Sequence, residues 1–313
     1  MCRPVRMRQR GRVIETTRLT KRYGSTSAVE SLSIQVNPGC VTGFLGPNGA
    51  GKSTTMRMVL CLAAPTSGEA LVQGRRYDQL RFPMHEVGAL LDASAVHGGR
   101  TAFDHLRCLA RTNGIGDARV VSTMEQVGLA GVAKRRISGF SLGMRQRLGI
   151  AAALLGDPGV LMFDEPVNGL DPDGVRWIRG LARSLAAEGR TVLISSHLMS
   201  EMEQTADRLL IIGRGRLISD TTVRDLLRQF DRGVLVRSPR PTELAAVLMA
   251  AGATVDSDPD GGLSVNGLAV AEIGDTAATH GIAVHEVTPR SASLEEAYMA
   301  LTADSVDYRA GDR

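Results

Sequence analysis

Two adjacent carboxylates end an apolar segment of the sequence. Residues 159–166 read GVLMFDEP, so Asp164 and Glu165 follow a run of apolar residues and precede a proline. Successive side chains of a strand point to opposite faces, so the two carboxylates cannot do the same job. A buried carboxylate without a partner is costly, so each is expected to face a cation, a water molecule or a donor. On this segment alone, the pair is either a solvated strand end or half of an active site.

A glycine-rich segment between an apolar strand and a helix predicts a phosphate site. Residues 46–53 read GPNGAGKS and fit G-x-x-x-x-G-K-[ST], between a strand predicted at 41–45 and a helix predicted at 54–62. Backbone N–H groups of the loop would converge on phosphate oxygens at the positive end of the helix dipole. Lys52 would reach the β- and γ-phosphates, and the Ser53 hydroxyl would hold Mg²⁺. The residues assigned to the nucleotide are Gly46, Pro47, Asn48, Gly49, Ala50, Gly51, Lys52, Ser53 and Thr54.

The predicted nucleotide site gives the carboxylate pair separate roles. Asp164 is expected to face Mg²⁺ through a bound water molecule. Glu165, on the other face of the strand, is expected to polarise the water that attacks the phosphate. A general base of this kind typically contributes about 10²–10⁴ in rate.

Four further segments, in a fixed order, make residues 13–220 resemble the ATP-binding cassette (ABC) ATPases. The segments and their residues are LTKRYGSTSAV with Tyr23, GFSLGMRQRLGIAAALLGDP with Ser141 and Gly143, NGLDP with Asp171, and LISSHLMSEME with His197. The resemblance implies that Tyr23 stacks on the adenine of ATP. It also implies that His197 donates to the γ-phosphate and holds the attacking water, with Glu165 as general base. The expected activity is ATP hydrolysis, with ATP and Mg²⁺ as cofactors.

By the same resemblance, the signature segment GFSLGM acts on a second copy of the chain. Ser141 and Gly143 would complete the partner's site, with the serine hydroxyl and a helix N-terminus aimed at the γ-phosphate. Two chains would then enclose two ATP molecules, and each site would be built from both chains. Asp171 would lie where the subunits meet, while its simpler interpretation is a helix N-cap before Pro172. The resemblance therefore predicts a homodimer.

Two departures from the family pattern resemble a subgroup, the bacterial drug and peptide-antibiotic exporters. In FSLGM, Leu142 replaces the usual second glycine and Met144 replaces a glutamine, and a methionine cannot hydrogen-bond ribose as a glutamine can. In VGALLDAS, Asp92 stands where the family has a glutamine that reaches Mg²⁺ and links the site to the membrane partner. Asp92 is therefore predicted as a metal residue beside Ser53 and Asp164, unless it is a loop residue without metal contact.

An α/β architecture is expected to position these residues. Segments 13–93 and 156–220 alternate strands and helices, which predicts a P-loop NTPase core with a mostly parallel sheet. Segment 94–155 reads as a helical subdomain, in which Thr101-x-x-Asp104 predicts a helix start. The resemblance implies that this subdomain carries the signature segment and the surface that docks on a membrane permease.

The C-terminal segment, residues 221–313, is predicted to form a small accessory domain. From about residue 232 the order is strand, helix, strand, strand, helix, strand and a closing helix, with the last strand at 282–287. That order fits a ferredoxin-like α+β fold. The segment has no catalytic constellation, so regulation or dimer support is its expected role.

Charge and composition restrict the class of protein. The 313 residues carry a net charge of +4, and the segment 1–12 holds five arginines without an acid, which leaves a net charge of −1 for the rest. The body is therefore not a polyanion-binding surface, and no nucleic-acid partner is expected. The basic segment is expected to be a disordered extension, with contact to anionic lipid or RNA as the alternative. The cysteines lack metal-ligand spacing and read as reduced thiols of a cytosolic protein: Cys2, Cys40, Cys61 and Cys108.

These observations predict the ATPase subunit of an ABC exporter. No apolar run reaches the ~18 residues that cross a bilayer, so the membrane permease is expected to be encoded separately. The subunit would dimerise on that permease at the cytoplasmic face of the membrane. One alternative is an importer subunit, against which FSLGM, Asp92 and the C-terminal segment argue. The other is a soluble ABC ATPase acting on DNA or the ribosome. DNA-repair relatives insert coiled coils before the signature, and ribosome-acting relatives usually carry two cassettes; neither feature occurs in this sequence.

Overall fold

The computed structural model describes residues 13–230, 233–258, 261–290 and 292–302. The basic segment at the start of the sequence, with Cys2, lies outside the described residues. The chain divides into two compact units, of which the first is built on the residues up to Thr222 and the second spans Val223–Leu301.

Nine strands and seven helices make up the first unit in the described residues. The strands are β1 (Ile14–Tyr23), β2 (Thr26–Val36), β3 (Val41–Leu45), β4 (Ser67–Val72), β5 (Val87–Leu90), β6 (Val160–Asp164), β7 (Thr191–Ser196), β8 (Arg208–Gly213) and β9 (Arg216–Thr222). The helices are α1 (Lys52–Val59), α2 (Pro83–Glu86), α3 (Ala102–Thr112), α4 (Asp117–Gln126), α5 (Leu142–Leu154), α6 (Pro172–Ala187) and α7 (Met199–Thr205).

The central sheet has the order β5-β6-β7-β3-β8-β9 and is parallel except for the β8–β9 pair. Strands β3 and β7 are buried at every position, as expected of parallel strands covered on both faces. The predicted mostly parallel sheet is confirmed. Its order places β6, β7 and β3 side by side, so their carboxyl ends meet at one edge.

A second, antiparallel sheet has the order β2-β1-β4. The prediction that residues 13–93 feed the parallel sheet was wrong for these three strands. Strands β1 and β2 are joined by Gly24 and Ser25 alone, and a two-residue connection can join only antiparallel strands, because a parallel crossover needs a dozen residues or more. The turn signal was therefore present in the sequence.

An apolar core joins the two sheets and α1. Ile14 of β1, Phe44 of β3, Met56 of α1 and Met162 of β6 belong to it, and each is fully buried. Burial of one such side chain contributes about 1.5–3 kcal/mol relative to exposure. The core thereby fixes α1 and the ends of β3 and β6 relative to one another.

Helices α3, α4 and α5 lie within the segment predicted as helical. Thr101 is the N-cap of α3, and its hydroxyl oxygen accepts the Asp104 backbone N–H at 3.0 Å. The predicted helix start at Thr101 is confirmed. In contrast, the helix predicted at 54–62 runs over Lys52–Val59, because Gly51 supplies its N-cap.

The second unit contains α8 (Val223–Gln229), β10 (Val234–Arg237), α9 (Pro241–Ala250), β11 (Thr254–Ser257), β12 (Leu263–Asn266), α10 (Val270–Thr279), β13 (Glu286–Pro289) and α11 (Leu294–Thr302). From β10 onward this is the predicted β-α-β-β-α-β order with a closing helix. All its strand pairs are antiparallel, and the sheet order is β11-β12-β10-β13.

The last strand of this unit differs from its prediction. The segment 282–287 was expected to be the strand, but β13 begins at Glu286 and pairs with β10 from Arg237 to Val234. Ile282 lies before the strand and is 5% exposed in the core of the unit. Ile282 is therefore apolar because it is a buried loop residue. In the sequence, such a residue cannot be distinguished from the buried position of a strand.

Candidate functional site

The loop between β3 and α1 has a backbone that two glycines make possible. Gly51 has a φ of 104° at the N-cap of α1, and a Cβ there would lie 2.5 Å from the carbonyl oxygen of Ala28. A Cβ on Gly46 would lie 2.5 Å from the carbonyl oxygen of Ile212. Only glycine fits either position without displacing backbone. The loop therefore packs tightly against β2 and β8, with α1 directly behind it.

Lys52 begins α1 and bends back over the loop. Its ammonium group donates to the carbonyl oxygens of Gly46 at 2.5 Å and Pro47 at 3.3 Å, and the residue is only 6% exposed. A cavity of about 170 Å³ opens beside it, and its lining is Pro47, Asn48, Gly49, Ala50, Gly51, Lys52, Ser53, Thr54 and Glu165. The structure thus brings together all but the first residue of the predicted phosphate loop, with Gly46 held through Lys52.

Glu165 connects the phosphate loop to the end of β7. Its Oε1 lies 3.4 Å from Lys52 Nζ, and its Oε2 lies 2.8 Å from His197 Nδ1. Glu165 has a φ of 49°, a left-handed conformation that is uncommon for a residue with a side chain. The lysine, the carboxylate and the histidine are therefore assembled at one edge of the sheet, and their roles in hydrolysis stay predictions.

Asp164 is the last residue of β6 and sits one strand away from the loop. Its Oδ1 accepts a hydrogen bond of 2.5 Å from the hydroxyl of Ser195 on β7. The same serine oxygen accepts the backbone N–H of Glu165 at 2.9 Å. Sequence reasoning missed Ser195, although the apolar run TVLI ends on two serines just as VLMF ends on two carboxylates.

The signature residues lie in a second cluster. Ser141 is the N-cap of α5, where its hydroxyl accepts the Met144 backbone N–H at 3.2 Å. Asp171 is the N-cap of α6 and accepts the Gly174 backbone N–H at 2.7 Å, so its simpler interpretation holds structurally. A Cβ on Gly143 would lie 3.2 Å from Leu170. Within one chain, the signature segment thus lies beside the residue that precedes Asp171.

The side chain of Leu142, in the signature segment, lies against the loop before α6. Leu142 is 50% exposed, and a Cβ on Gly169 would lie 2.0 Å from one of its methyl carbons. Gln146 of α5 also donates to the carbonyl oxygen of Asn168 at 3.4 Å. The leucine that replaces the family's glycine therefore fills space against the residues that follow Glu165.

Tyr23 ends β1 and is 52% exposed. The ammonium group of Lys21 lies 5.0 Å from the centroid of its ring, within the range of a cation–π contact. The stacking of Tyr23 on adenine stays a prediction.

Asp92 lies away from the phosphate-loop cavity. Its Oδ1 accepts hydrogen bonds from the Ser94 hydroxyl at 2.6 Å and the Ser94 backbone N–H at 2.7 Å. These bonds, the hydroxyl first, hold the pKa of Asp92 below its ordinary value, with a smaller contribution from Arg57. Asp92 lines a separate cavity of about 490 Å³ between α3, α5, β5 and the segment that follows α1. Its metal role stays a prediction.

Comparisons with known proteins cover both units. A family model described as ABC transporter matches residues 29–168, and one described as a domain of unknown function (DUF8746) matches residues 232–295. The bacitracin transport ATP-binding protein BcrA of Enterococcus faecalis is 40% identical over 68% of this chain and 70% of its own length. The daunorubicin/doxorubicin resistance ATP-binding protein DrrA of Streptomyces peucetius is 34% identical over 95% of this chain and 94% of its own.

Solved structures agree in fold. One described as the ATP-binding subunit of an ABC transporter is 27% identical, with a TM-score of 0.64 over 70% of this chain and 93% of its own. A nucleotide-free ATP-binding cassette, 21% identical, matches in fold with a TM-score of 0.60. Both relatives are more than 30% identical to this chain over more than two thirds of their length, and the fold agrees. The chain therefore belongs to the ABC transporter family, as an ATP-binding protein that hydrolyses ATP.

Proposed function

We propose that this protein is the ATPase subunit of a drug or peptide-antibiotic exporter, working as a homodimer on a separately encoded permease. The observation that carries the catalytic part of the proposal is the group of Lys52, Glu165 and His197 beside the phosphate loop. Lys52 would exchange its loop carbonyls and Glu165 for the β- and γ-phosphates of ATP. Glu165, released from the lysine but still bound to His197, would then accept a proton from the attacking water.

The residues at the loop fit Mg²⁺ as a cofactor. Mg²⁺ at phosphoryl sites is usually held by one or two protein oxygens together with substrate phosphates and water. Ser53 at the loop and Asp164 at the end of β6 offer such oxygens. In the described part of the chain, no group of three His, Cys, Asp or Glu residues could hold a metal by itself. Bound there, Mg²⁺ would neutralise charge on the phosphates.

A homodimer would complete each site. Ser141 and Asp171 are both solvent-exposed in the single chain, and neither lines the cavity at the phosphate loop. A hydroxyl and a helix N-terminus on an exposed surface are suited to meet the γ-phosphate bound by another copy. Tyr23, also exposed, would pack against the adenine. Two copies would then enclose two ATP molecules, with Gly143 allowing close approach.

The groove around Asp92 is the proposed docking surface for the permease. Its lining is apolar on both sides, with Leu62 from the segment that follows α1 and Leu109 from α3. Leu62 is 68% exposed and the nearby Phe82 is 55% exposed, so a partner segment could bury both. None of the helices in the described residues combines the length and apolar character needed to span a bilayer. Attachment at the cytoplasmic face of the membrane through this groove is the proposed location.

The exporter class rests on the relatives. Their names refer to bacitracin transport, lantibiotic transport and daunorubicin/doxorubicin resistance. The match to the last of these extends over 95% of this chain, so it includes the second unit. Export of a drug or peptide antibiotic is therefore the function that we favour over import and over action on nucleic acid.

Transport by inside-out vesicles tests the proposal. We expect vesicles that contain this chain and its permease to accumulate bacitracin or daunorubicin when ATP is added. Lys52→Ala, which removes the phosphate-binding cation, should abolish accumulation while the chain still sediments with the vesicles. A chain that sediments with ribosomes or DNA instead of these vesicles would contradict the proposal.

Asp92 is expected to couple the permease to hydrolysis. Asp92→Ala should retain nucleotide binding and basal ATPase activity but lose most of the ATPase stimulation by the reconstituted permease. Asp92→Asn, which keeps an oxygen for the Ser94 turn and removes the charge, should fall between wild type and Asp92→Ala. Ser94→Ala is the matched control, because it weakens the turn and keeps the carboxylate. Equal stimulation of wild type and Asp92→Ala would make Asp92 an ordinary loop residue.

A further inference from the structure

We infer that Ser195 is a positioning residue that sets the geometry of both carboxylates at the end of β6. It donates to the side chain of Asp164 and accepts from the backbone of Glu165. Both of these hydrogen bonds go to the end of β6, so its influence on the reaction would pass through these two residues. The inference rests on the proposed roles of Asp164 and Glu165.

Strand register makes this arrangement possible. Strands β6 and β7 are parallel neighbours, and Asp164 pairs with Ser195 at the last position of their ladder. Ser195 is fully buried, with 0% exposure. The position of the Ser195 hydroxyl is therefore fixed by the backbone of a central strand rather than by a loop.

The hydrogen-bonding capacity of one hydroxyl fits both partners. A serine hydroxyl has a single hydrogen and two lone pairs. The hydrogen goes to Asp164 Oδ1 at 2.5 Å, so a lone pair is left to accept the Glu165 N–H at 2.9 Å. One carboxylate oxygen of Asp164 is thereby held in place. Because the carboxylate is planar and rigid, this bond also restricts the position of the other oxygen, Oδ2. An alanine would provide neither bond.

The bond to the Glu165 backbone bears on the general base. Glu165 has a left-handed φ of 49°, a conformation that a residue with a side chain keeps only when its surroundings hold it. The Ser195 oxygen anchors the N–H of this residue, and the resulting backbone direction aims the side chain at Lys52 and His197. Loss of the anchor would let the carboxylate move away from the attacking water.

The first test measures Mg²⁺-dependent binding of a fluorescent ATP analogue, which requires no turnover and no permease. In EDTA, Ser195→Ala should bind the analogue within about twofold of wild type, since its phosphate loop is unchanged. With Mg²⁺, the midpoint of the metal titration should rise by about tenfold, because partners of a metal ligand typically contribute 10–100-fold in metal affinity. Thr42→Val, which removes a hydroxyl that is 1% exposed on neighbouring β3, should match wild type.

The second test measures steady-state ATP hydrolysis. Ser195→Ala should lower kcat by about 10–100-fold with KM changed far less, and Ser195→Thr, which keeps a hydroxyl, should recover most of the loss. Hydrogen exchange of the Glu165 amide should be faster in Ser195→Ala and unchanged in Thr42→Val. A Ser195→Ala protein with a wild-type metal midpoint and a wild-type kcat would overturn the inference, whatever the transport assay shows. A Ser195→Thr protein that melts like wild type yet stays as slow as Ser195→Ala would also overturn it.

Discussion

Glu165→Gln is expected to keep ATP binding and to lower ATP hydrolysis by at least about 100-fold, the contribution of a positioned general base. The glutamine has the size of the glutamate but carries no charge and cannot accept the proton of the attacking water at neutral pH. It also loses the ionic attraction to Lys52 at 3.4 Å. With ATP bound and not cleaved, two copies should remain joined.

Size-exclusion chromatography with ATP and Mg²⁺ and a phosphate-release assay measure both effects. Glu188→Gln is the matched control, because Glu188 lies at the end of α6 and pairs with Arg190, away from the phosphate loop. That variant should hydrolyse ATP like wild type and elute as wild type does. A Glu165→Gln protein that stays monomeric and turns over at the wild-type rate would remove Glu165 from the role of general base.

Ser141 is expected to act on the ATP bound by the other copy. Ser141→Arg and Lys52→Ala should each abolish hydrolysis as homodimers, because every site then carries one lesion. In a heterodimer of the two variants, one site combines the intact Lys52 with the intact Ser141, and the other site carries both lesions. Part of the ATPase activity should therefore return at the intact site. There the Ser141 hydroxyl is a hydrogen-bond donor of a kind that typically contributes ~3 kcal/mol of transition-state stabilisation.

Counting trapped nucleotide makes this test independent of cooperation between the sites. With Glu165→Gln added to both chains, a doubly tagged heterodimer should retain one ATP, whereas a dimer with Lys52 and Ser141 intact should retain two. Each parental homodimer serves as the control and should retain none. A purified heterodimer that retains no ATP would show that Lys52 and Ser141 do not form a composite site.

The phosphate loop and the carboxylate pair could be predicted from the sequence because their signals are local. GPNGAGKS needs glycines for its backbone and a strand before it, and the structure has that strand at Val41–Leu45. Thr101 predicted a helix start because an N-cap and its partner lie three residues apart. The order of elements in the C-terminal unit was likewise readable from the spacing of its apolar runs.

Interactions between distant segments were decided by the tertiary structure alone. Ser195 meets Asp164 only because β6 and β7 are neighbours in register, and no spacing within either strand encodes that pairing. Leu142 reads as a departure from a motif until it is seen against Gly169. Asp92 lines a groove together with Leu109 of α3 and Ala152 of α5, which lie far from it in the sequence.

The physical reason for this division is the range of the interactions. Periodicity, caps and turns depend on residues a few positions apart, so the sequence by itself determined the elements, the phosphate loop and the order of the carboxylates. Strand order and register depend on which apolar faces bury one another, and a shift of one residue would move every side chain to the opposite face. Only the folded sheet therefore decided that the hydroxyl of Ser195 bonds both the carboxylate of Asp164 and the backbone N–H of Glu165.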